Sequence, residues 1–200
     1  SRATREFHLA QGLDAARVEV VYNGIDCDRW RPRPRRLALR RELSVPEDSM
    51  LAAAIGQIGI RKGLDVIDEA AVLPAEDHPQ LHYLILGERH STKAESVAFE
   101  RSLHDRLREA RLADRFHWLG YRQDVAHVLN EIDLLIHPAR QEPCGRVLLE
   151  AAACAVPIVA TRVGGTPELL TDCESALLVE PGDRAALAQA VRCMVDIDGL

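Results

Sequence analysis

The chain has 200 residues, 47% of them apolar, and a formal charge of −6, enough to bury one sizeable core or one domain with part of another. No run of about 18 apolar residues exists, which argues against a spanning helix, and the acidic balance with only 4% aromatics disfavours a nucleic-acid partner. Five cysteines stand singly at Cys27, Cys144, Cys154, Cys173 and Cys193 with no C-x-x-C; this argues against a disulfide framework or zinc site and for a cytoplasmic compartment.

In chain order, Ser1 to Gly12 reads as a helix end stopped by Gly12, and Val18 to Tyr22 as a short β-type run closing in Asn23-Gly24. Asp26-Cys27-Asp28 and Asp196-Ile197-Asp198 are formally D-x-D, but short acidic triplets arise often by chance, and turn chemistry after Asn23-Gly24 accounts for Asp26 without a metal. Arg29, Arg31, Arg33, Arg35, Arg36, Arg40 and Arg41 surround Trp30, Pro32 and Pro34. The bland reading is a solvated linker entering a short helix at Leu37 to Leu43. The sharper one is a basic edge that meets an anionic membrane, peripherally at its inner face, or a phosphate-bearing acceptor.

A repeating beat follows. Leu51 to Ile55, Leu81 to Leu86, Phe116 to Leu119, Ile132 to Ile136, Val156 to Ala160 and Ala176 to Val179 read as strands. Helices are expected over Gly63 to Leu73, Lys93 to Arg111, Asp124 to Leu129, Arg146 to Cys154, Pro167 to Leu170 and Arg184 to Val195. Alternation of this kind implies an α/β fold, with a mainly parallel sheet covered on both faces. Ligands of such sheets bind outside the carboxyl ends of the strands. The loop Gly56-Gln57-Ile58-Gly59-Ile60-Arg61-Lys62-Gly63 is neither G-x-G-x-x-G nor a P-loop, which counts against a dinucleotide dehydrogenase and a P-loop NTPase.

The most informative stretch runs from Glu142 through Pro143, Cys144, Gly145, Arg146 and Val147 to Glu150 and on to Ala160. From Val147 to Ala160 every residue is apolar, small or proline except Glu150. An unpaired buried carboxylate costs roughly several kcal/mol, so Glu150 should be protonated, paired or waiting for a ligand's donors. No base close in sequence settles the matter, and Glu150 reads as ligand-facing. Pro143 and Gly145 set a helix start near Gly145 or Arg146, which leaves Glu142 in the loop before it. Eight residues at 3.6 per turn would bring the two glutamates within about 80 degrees of one face if the segment were all helical. The free amides of Cys144 to Val147 should point into the same cleft, with the charge of Arg146 beside them. His137, alone at a strand end, reads as a packing residue.

These residues resemble the E-x7-E motif of the retaining, nucleotide-sugar-dependent glycosyltransferases of the glycogen-synthase and sucrose-synthase type, family 4. The likeness extends in order to Tyr22-Asn23-Gly24-Ile25-Asp26, to Leu84-Ile85-Leu86-Gly87, to Leu119-Gly120-Tyr121, to Asp133-Leu134-Leu135-Ile136-His137-Pro138 and to Gly164-Gly165-Thr166-Pro167-Glu168. It implies the Rossmann-like, doubly wound C-terminal half of a two-domain GT-B fold. Residues 1–22 would be the tail of the acceptor domain and its connection, and 23–200 the nucleotide-sugar-binding domain.

The implied reaction is sugar transfer from a nucleoside diphosphate donor to a hydroxyl with retention, without metal or other cofactor. Lys62 would hold the diphosphate, and Gln57 stands where the family places an arginine, with Arg61 or Arg146 as substitutes. Glu150 would take the ribose, Glu142 and the amides of Cys144, Gly145, Arg146 and Val147 the sugar, and the backbone of the loop at Tyr121 the nucleobase, with Gly87 at its strand end a further donor-binding residue. The acceptor domain is the implied partner. Two other readings stay open, a non-catalytic nucleotide-binding module and a GT-B sugar-nucleotide epimerase.

Overall fold

The computed structural model describes residues 1–197; Asp198, the last residue of the second D-x-D triplet, lies outside the described residues. Six strands form one parallel sheet: β1 (Met50–Ile55), β2 (Leu81–Leu86), β3 (Phe116–Gly120), β4 (Leu134–His137), β5 (Ile158–Thr161) and β6 (Leu177–Val179). The order across it is β3-β2-β1-β4-β5-β6. The chain therefore builds outward from β1 in one direction, then returns to build from β1 in the other. The crevice between β1 and β4 is the topological switch point, where open parallel sheets take their ligands.

Side-chain alternation explains why both faces are covered. Ala52, Ala54, Tyr83, Ile85, Leu134, Ile136 and Val159 belong to one apolar cluster with α3 (Leu64–Ala70), α5 (Ala94–Glu109) and α9 (Arg184–Val195). Leu51, Ala53, Leu84, Leu86, Leu135, Ile158 and Ala160 point the other way, onto Trp30, α2 (Ala38–Glu42), α6 (Val125–Glu131) and α7 (Arg146–Ala153). Neighbours along each strand thus serve opposite layers, as the two-residue period requires. Each fully buried leucine in such a layer contributes about 1.5–3 kcal/mol.

Six strands and their helices fall where the sequence places them, with ends shifted by one or two residues. Two elements differ. The expected helix over 63–73 is two helices, α3 and α4 (Val72–Asp77), joined at Ala71. Continuing α3 unbroken would require Pro74 to donate an amide hydrogen to Ala70, and proline has none. In α4 that proline occupies the third position, where the missing hydrogen would be orphaned anyway. The second difference is Val18 to Tyr22, which is no strand. Val21 is 81% exposed, and among the described residues this run joins no ladder, so its β-type residues have nothing to pack on.

The arginine-rich segment is also more than a solvated linker. Arg40 is 3% exposed; it donates to Ser49 O at 2.9 Å, Glu131 O at 2.8 Å and Asp133 Oδ2 at 2.7 Å. Asp133 Oδ2 also accepts the amide of Leu51 at 2.7 Å, and its Oδ1 accepts Arg35. One buried ion pair thereby ties α2 to the approach to β4 and the start of β1, with each guanidinium nitrogen of Arg40 and both oxygens of Asp133 hydrogen-bonded.

Candidate functional site

Lys62 and Glu142 approach from the two sides of the switch point, the first on the loop after β1 and the second on the loop after β4. Their Nζ···Oε2 distance is 2.6 Å. His137, the last residue of β4, places Nε2 at 3.0 Å from the same oxygen, with its side chain 3% exposed. An ionised carboxylate only accepts, so His137 carries its hydrogen on Nε2. The other oxygen, Oε1, accepts the amides of Gly145 at 2.8 Å and Cys144 at 3.3 Å. Burial pushes the Glu142 carboxyl up, but the hydrogen bonds and charge of His137 and Lys62 outweigh it and hold it well below the usual carboxylate range.

Backbone geometry locks this arrangement. Gly164, on the loop after β5, has φ +55°, and a Cβ there would sit 2.1 Å from the carbonyl oxygen of Glu142. The next residue, Gly165, donates its amide to that carbonyl at 2.9 Å. Only glycine permits both the left-handed turn and the approach. On the other side of β1, Gly87 has φ +136° and its Cβ would lie 2.0 Å from Gly56 O, so the loops after β1 and β2 meet backbone to backbone. Gly87 in turn donates to Gly120 O at 2.8 Å.

Lys62 shares a cavity of about 280 Å³ with Gln57 and Arg61, both of which are exposed. The three residues on which a diphosphate clamp depends by resemblance therefore line one space. Ser91, Glu95 and Ser96, from the far side, complete it. Serine hydroxyls and two cations suit an anionic ligand, and Glu95 limits how much negative charge the space accepts.

The stretch 142–150 departs from expectation in two respects. The amides of Cys144 and Gly145 are spent on Glu142, so of the four expected to face a ligand, only those of Arg146 and Val147 open α7 unclaimed by that carboxylate. The second concerns Glu150, which is buried at 9% exposure. A base four residues earlier does reach it, with Arg146 Nη2 at 3.3 Å from Oε1. The Arg146 side chain is 68% exposed, and such a pair contributes little, about 0.3–0.5 kcal/mol. Glu150 keeps room for further donors.

Other residues behave as follows. Cys144 is half-buried, its Sγ 3.3 Å from Asn23 Nδ2. Tyr121 is 69% exposed and is held by its amide, at 3.3 Å from Glu88 Oε1; no contact joins it to the Lys62–Glu142 pair among the described residues. Asp26 is occupied by its own turn, accepting the amides of Asp28 and Arg29. Glu168 accepts Arg2 N at 2.7 Å, Ala3 N at 2.9 Å and the hydroxyl of Tyr22 at 2.6 Å, which is structural work. His137 is the residue that sequence reasoning left out. The signal was its place at the carboxyl end of β4, five residues before Glu142.

Comparison with known proteins gives the same picture. Residues 36–198 match the family model described as glycosyl transferases group 1. A D-inositol 3-phosphate glycosyltransferase of Geodermatophilus obscurus is 33% identical over 190 residues, covering 92% of this chain and 41% of the relative. The lipopolysaccharide core biosynthesis mannosyltransferase LpsB of Rhizobium meliloti is 28% identical, covering 88% and 50%. The crystal structure of Anabaena HepE in complex with UDP-glucose superposes with a TM-score of 0.89 at 26% identity, over 98% of this chain and 52% of that one. The C-terminal domain of LpcC from Francisella tularensis shares the fold, with a TM-score of 0.70 over 86% of this chain and 96% of its own. The chain thus spans about half the length, or somewhat less, of the full-length relatives it matches. With its six-stranded parallel sheet in the GT-B pattern and a match over residues 36–198, the chain belongs to the glycosyl transferases group 1 family.

Proposed function

We propose that the chain is the nucleotide-sugar-binding half of a retaining hexosyltransferase that passes a sugar from a nucleoside diphosphate to a hydroxyl acceptor. The observation that carries this reading is the Lys62–Glu142 pair across the β1/β4 switch point, with His137 behind it. In the reaction the bond from the anomeric carbon to the diphosphate oxygen breaks, a bond to the acceptor oxygen forms, and the hydroxyl proton passes to solvent as the nucleoside diphosphate departs with the bonding pair. Negative charge grows on the leaving diphosphate, so cations and helix amides aimed at it supply most of the stabilisation. Lys62, Arg61 and Gln57 line the space for the phosphates. The amides of Arg146 and Val147 at the start of α7 add the positive end of a helix dipole.

In this reading Glu142, kept ionised by its neighbours, accepts a hydroxyl of the transferred sugar, and Glu150 accepts the ribose hydroxyls. Gly87 and Tyr121 border the base. The charge needed at the phosphates comes from side chains and amides, so the proposal includes no metal ion or other cofactor. The acceptor half of the cleft belongs to a further domain, with residues 1–22 as its connection. The five cysteines, all free, suit a reducing, cytoplasmic location.

Calorimetric titration with UDP, GDP and ADP, on the chain and on Glu150→Ala and Lys62→Ala, tests the reading. We expect one nucleotide to bind and both variants to weaken it by about tenfold or more. Equal binding by all three proteins would overturn the residue roles. A chain that turns over donor and acceptor robustly without a further domain would overturn the division of labour.

A further inference from the structure

A second cavity, of about 550 Å³, lies away from the Lys62 space and shares no lining residue with it. Its walls include Arg29, Arg31, Arg33 and Arg36 from the segment before α2, and His127 and Asn130 from α6. These four arginines differ from most others in the chain. Arg35, Arg40, Arg106, Arg122, Arg140 and Arg162 each pair with a carboxylate, whereas among the described residues none of the four does. In a chain with net charge −6, four arginines without an ion-pair partner lining one hollow outnumber the single buried carboxylate of Glu131 beside the segment and make a local field opposite in sign to the whole.

The segment is also held in place. Asn130 Oδ1 accepts the amide of Arg33 at 2.5 Å, while Asn130 Nδ2 donates to Ala126 O at 2.7 Å. At the next residue, Glu131 Oε1 accepts the amide of Arg36 at 2.6 Å. Pro32 and Pro34, between the arginines, fix φ and leave little backbone freedom to lose on binding. The backbone is therefore fastened to α6 by its amides while the four guanidinium groups remain exposed at the hollow. Trp30, carrying Arg29 over its ring at 5.0 Å, is sunk in the core and anchors the near end.

We propose that this hollow is a binding site for a phosphate-bearing group, separate from the donor cleft. Guanidinium groups match phosphate oxygens with paired N–H donors, and the volume falls within the range of small-ligand sites. The phosphate belongs either to a lipid headgroup at a membrane surface or to a soluble phosphate ester. The chemistry recognised is the same in both.

The test compares the chain with R29Q/R31Q/R33Q and with R17Q/R101Q/R111Q, which removes the same charge from arginines elsewhere on the surface. Two probes are used, each with UDP, GDP and ADP together at saturating concentration to occupy the donor cleft. The first is vesicles of phosphatidylcholine with and without phosphatidic acid, read by co-sedimentation at low and high salt; the second is inorganic pyrophosphate, read by calorimetry. The expected result is binding that the pocket variant loses by about tenfold or more while the control variant keeps it. Loss on vesicles alone identifies a lipid headgroup, and loss on pyrophosphate alone a soluble phosphate. Equal loss in both variants, or no binding of either probe by the unaltered chain, overturns the proposal. If the triple variant does not fold by circular dichroism, R31Q is compared with R101Q on the same readouts.

Discussion

Lys62 Nζ and Glu142 Oε2 lie 2.6 Å apart although 80 residues separate them in sequence, and their contact closes the crevice between β1 and β4. The cation and the anion hold each other until a ligand intervenes, and the carboxylate has His137 and two amides to fall back on. In the proposed reading, Glu142 therefore stays placed and ionised when Lys62 turns to a phosphate.

Acid should undo this arrangement in a defined direction. The native Glu142 carboxyl ionises below its ordinary range, whereas in the unfolded chain it ionises near about 4.3. The unfolded state thus binds the proton more readily. The stabilisation is whole above about pH 4.3 and is lost as pH falls below it toward the native value. Urea unfolding between pH 7 and pH 3 should give a stability that falls with acid in the unaltered chain. In Glu142→Gln part of that fall should be missing, with lower stability at pH 7. An identical pH slope in both proteins would remove Glu142 from the account.

Gln57 stands where the family pattern has an arginine, and it faces the cavity that Lys62 and Arg61 line. A guanidinium there would add a charge-assisted donor pair to any bound diphosphate. Gln57→Arg should tighten nucleoside diphosphate binding by roughly three- to tenfold, about 0.7–1.4 kcal/mol, and the gain should shrink as salt rises. Unchanged affinity by calorimetry would mean that the phosphates lie away from residue 57.

The sheet was legible because its strands are short apolar runs bounded by polar helices, and Leu81 to Leu86 could hardly be anything else. Glu150 stood out for the same reason in reverse, as a charge set in an apolar run that had no use for it, whereas Lys62 and Glu142 were marked out by the family resemblance. What stayed hidden was long-range pairing. Asp133 lies 93 residues from Arg40, and nothing local distinguishes Arg40, which is buried, from its exposed neighbour Arg41. His137 read as a packing residue because its place at the end of β4 was the one signal it carried, and its contact with Glu142 depends on a loop that turns back on it. The use of the Cys144 and Gly145 amides was equally unreadable, since it depends on how sharply Pro143 to Gly145 folds over one carboxylate.

Arg40 gives the largest stability effect we expect. Replacing it with methionine keeps much of the volume but leaves Asp133, which is 2% exposed, with only the Leu51 amide and the half-exposed Arg35. Breaking a buried pair from one side typically costs about 3–5 kcal/mol. Arg35 meets the same carboxylate with a side chain 41% exposed, so Arg35→Gln should cost much less, about 0–1 kcal/mol. Denaturant titration of the two variants measures the contrast. Similar losses would mean that solvent reaches Asp133 as freely as it reaches Arg35.

The attachment of α1 (Arg2–Ala10) is the last point open to direct measurement. This helix buries none of its residues, so packing contributes little to holding it in place. Glu168 does that work at a distance of 166 residues, receiving the amides of Arg2 and Ala3 and the hydroxyl of Tyr22. A carboxylate at a helix N-terminus also meets the positive end of the helix dipole. Glu168→Gln keeps the shape, removes the charge and turns one acceptor into a donor that faces other donors. Amide exchange over residues 2–10 should then quicken by about tenfold or more, while the amides of β4 and β5 keep their protection, because local opening leaves the core intact. Unaltered exchange over residues 2–10 would show that α1 is held by something other than this carboxylate, and uniformly faster exchange that Glu168 supports the core itself.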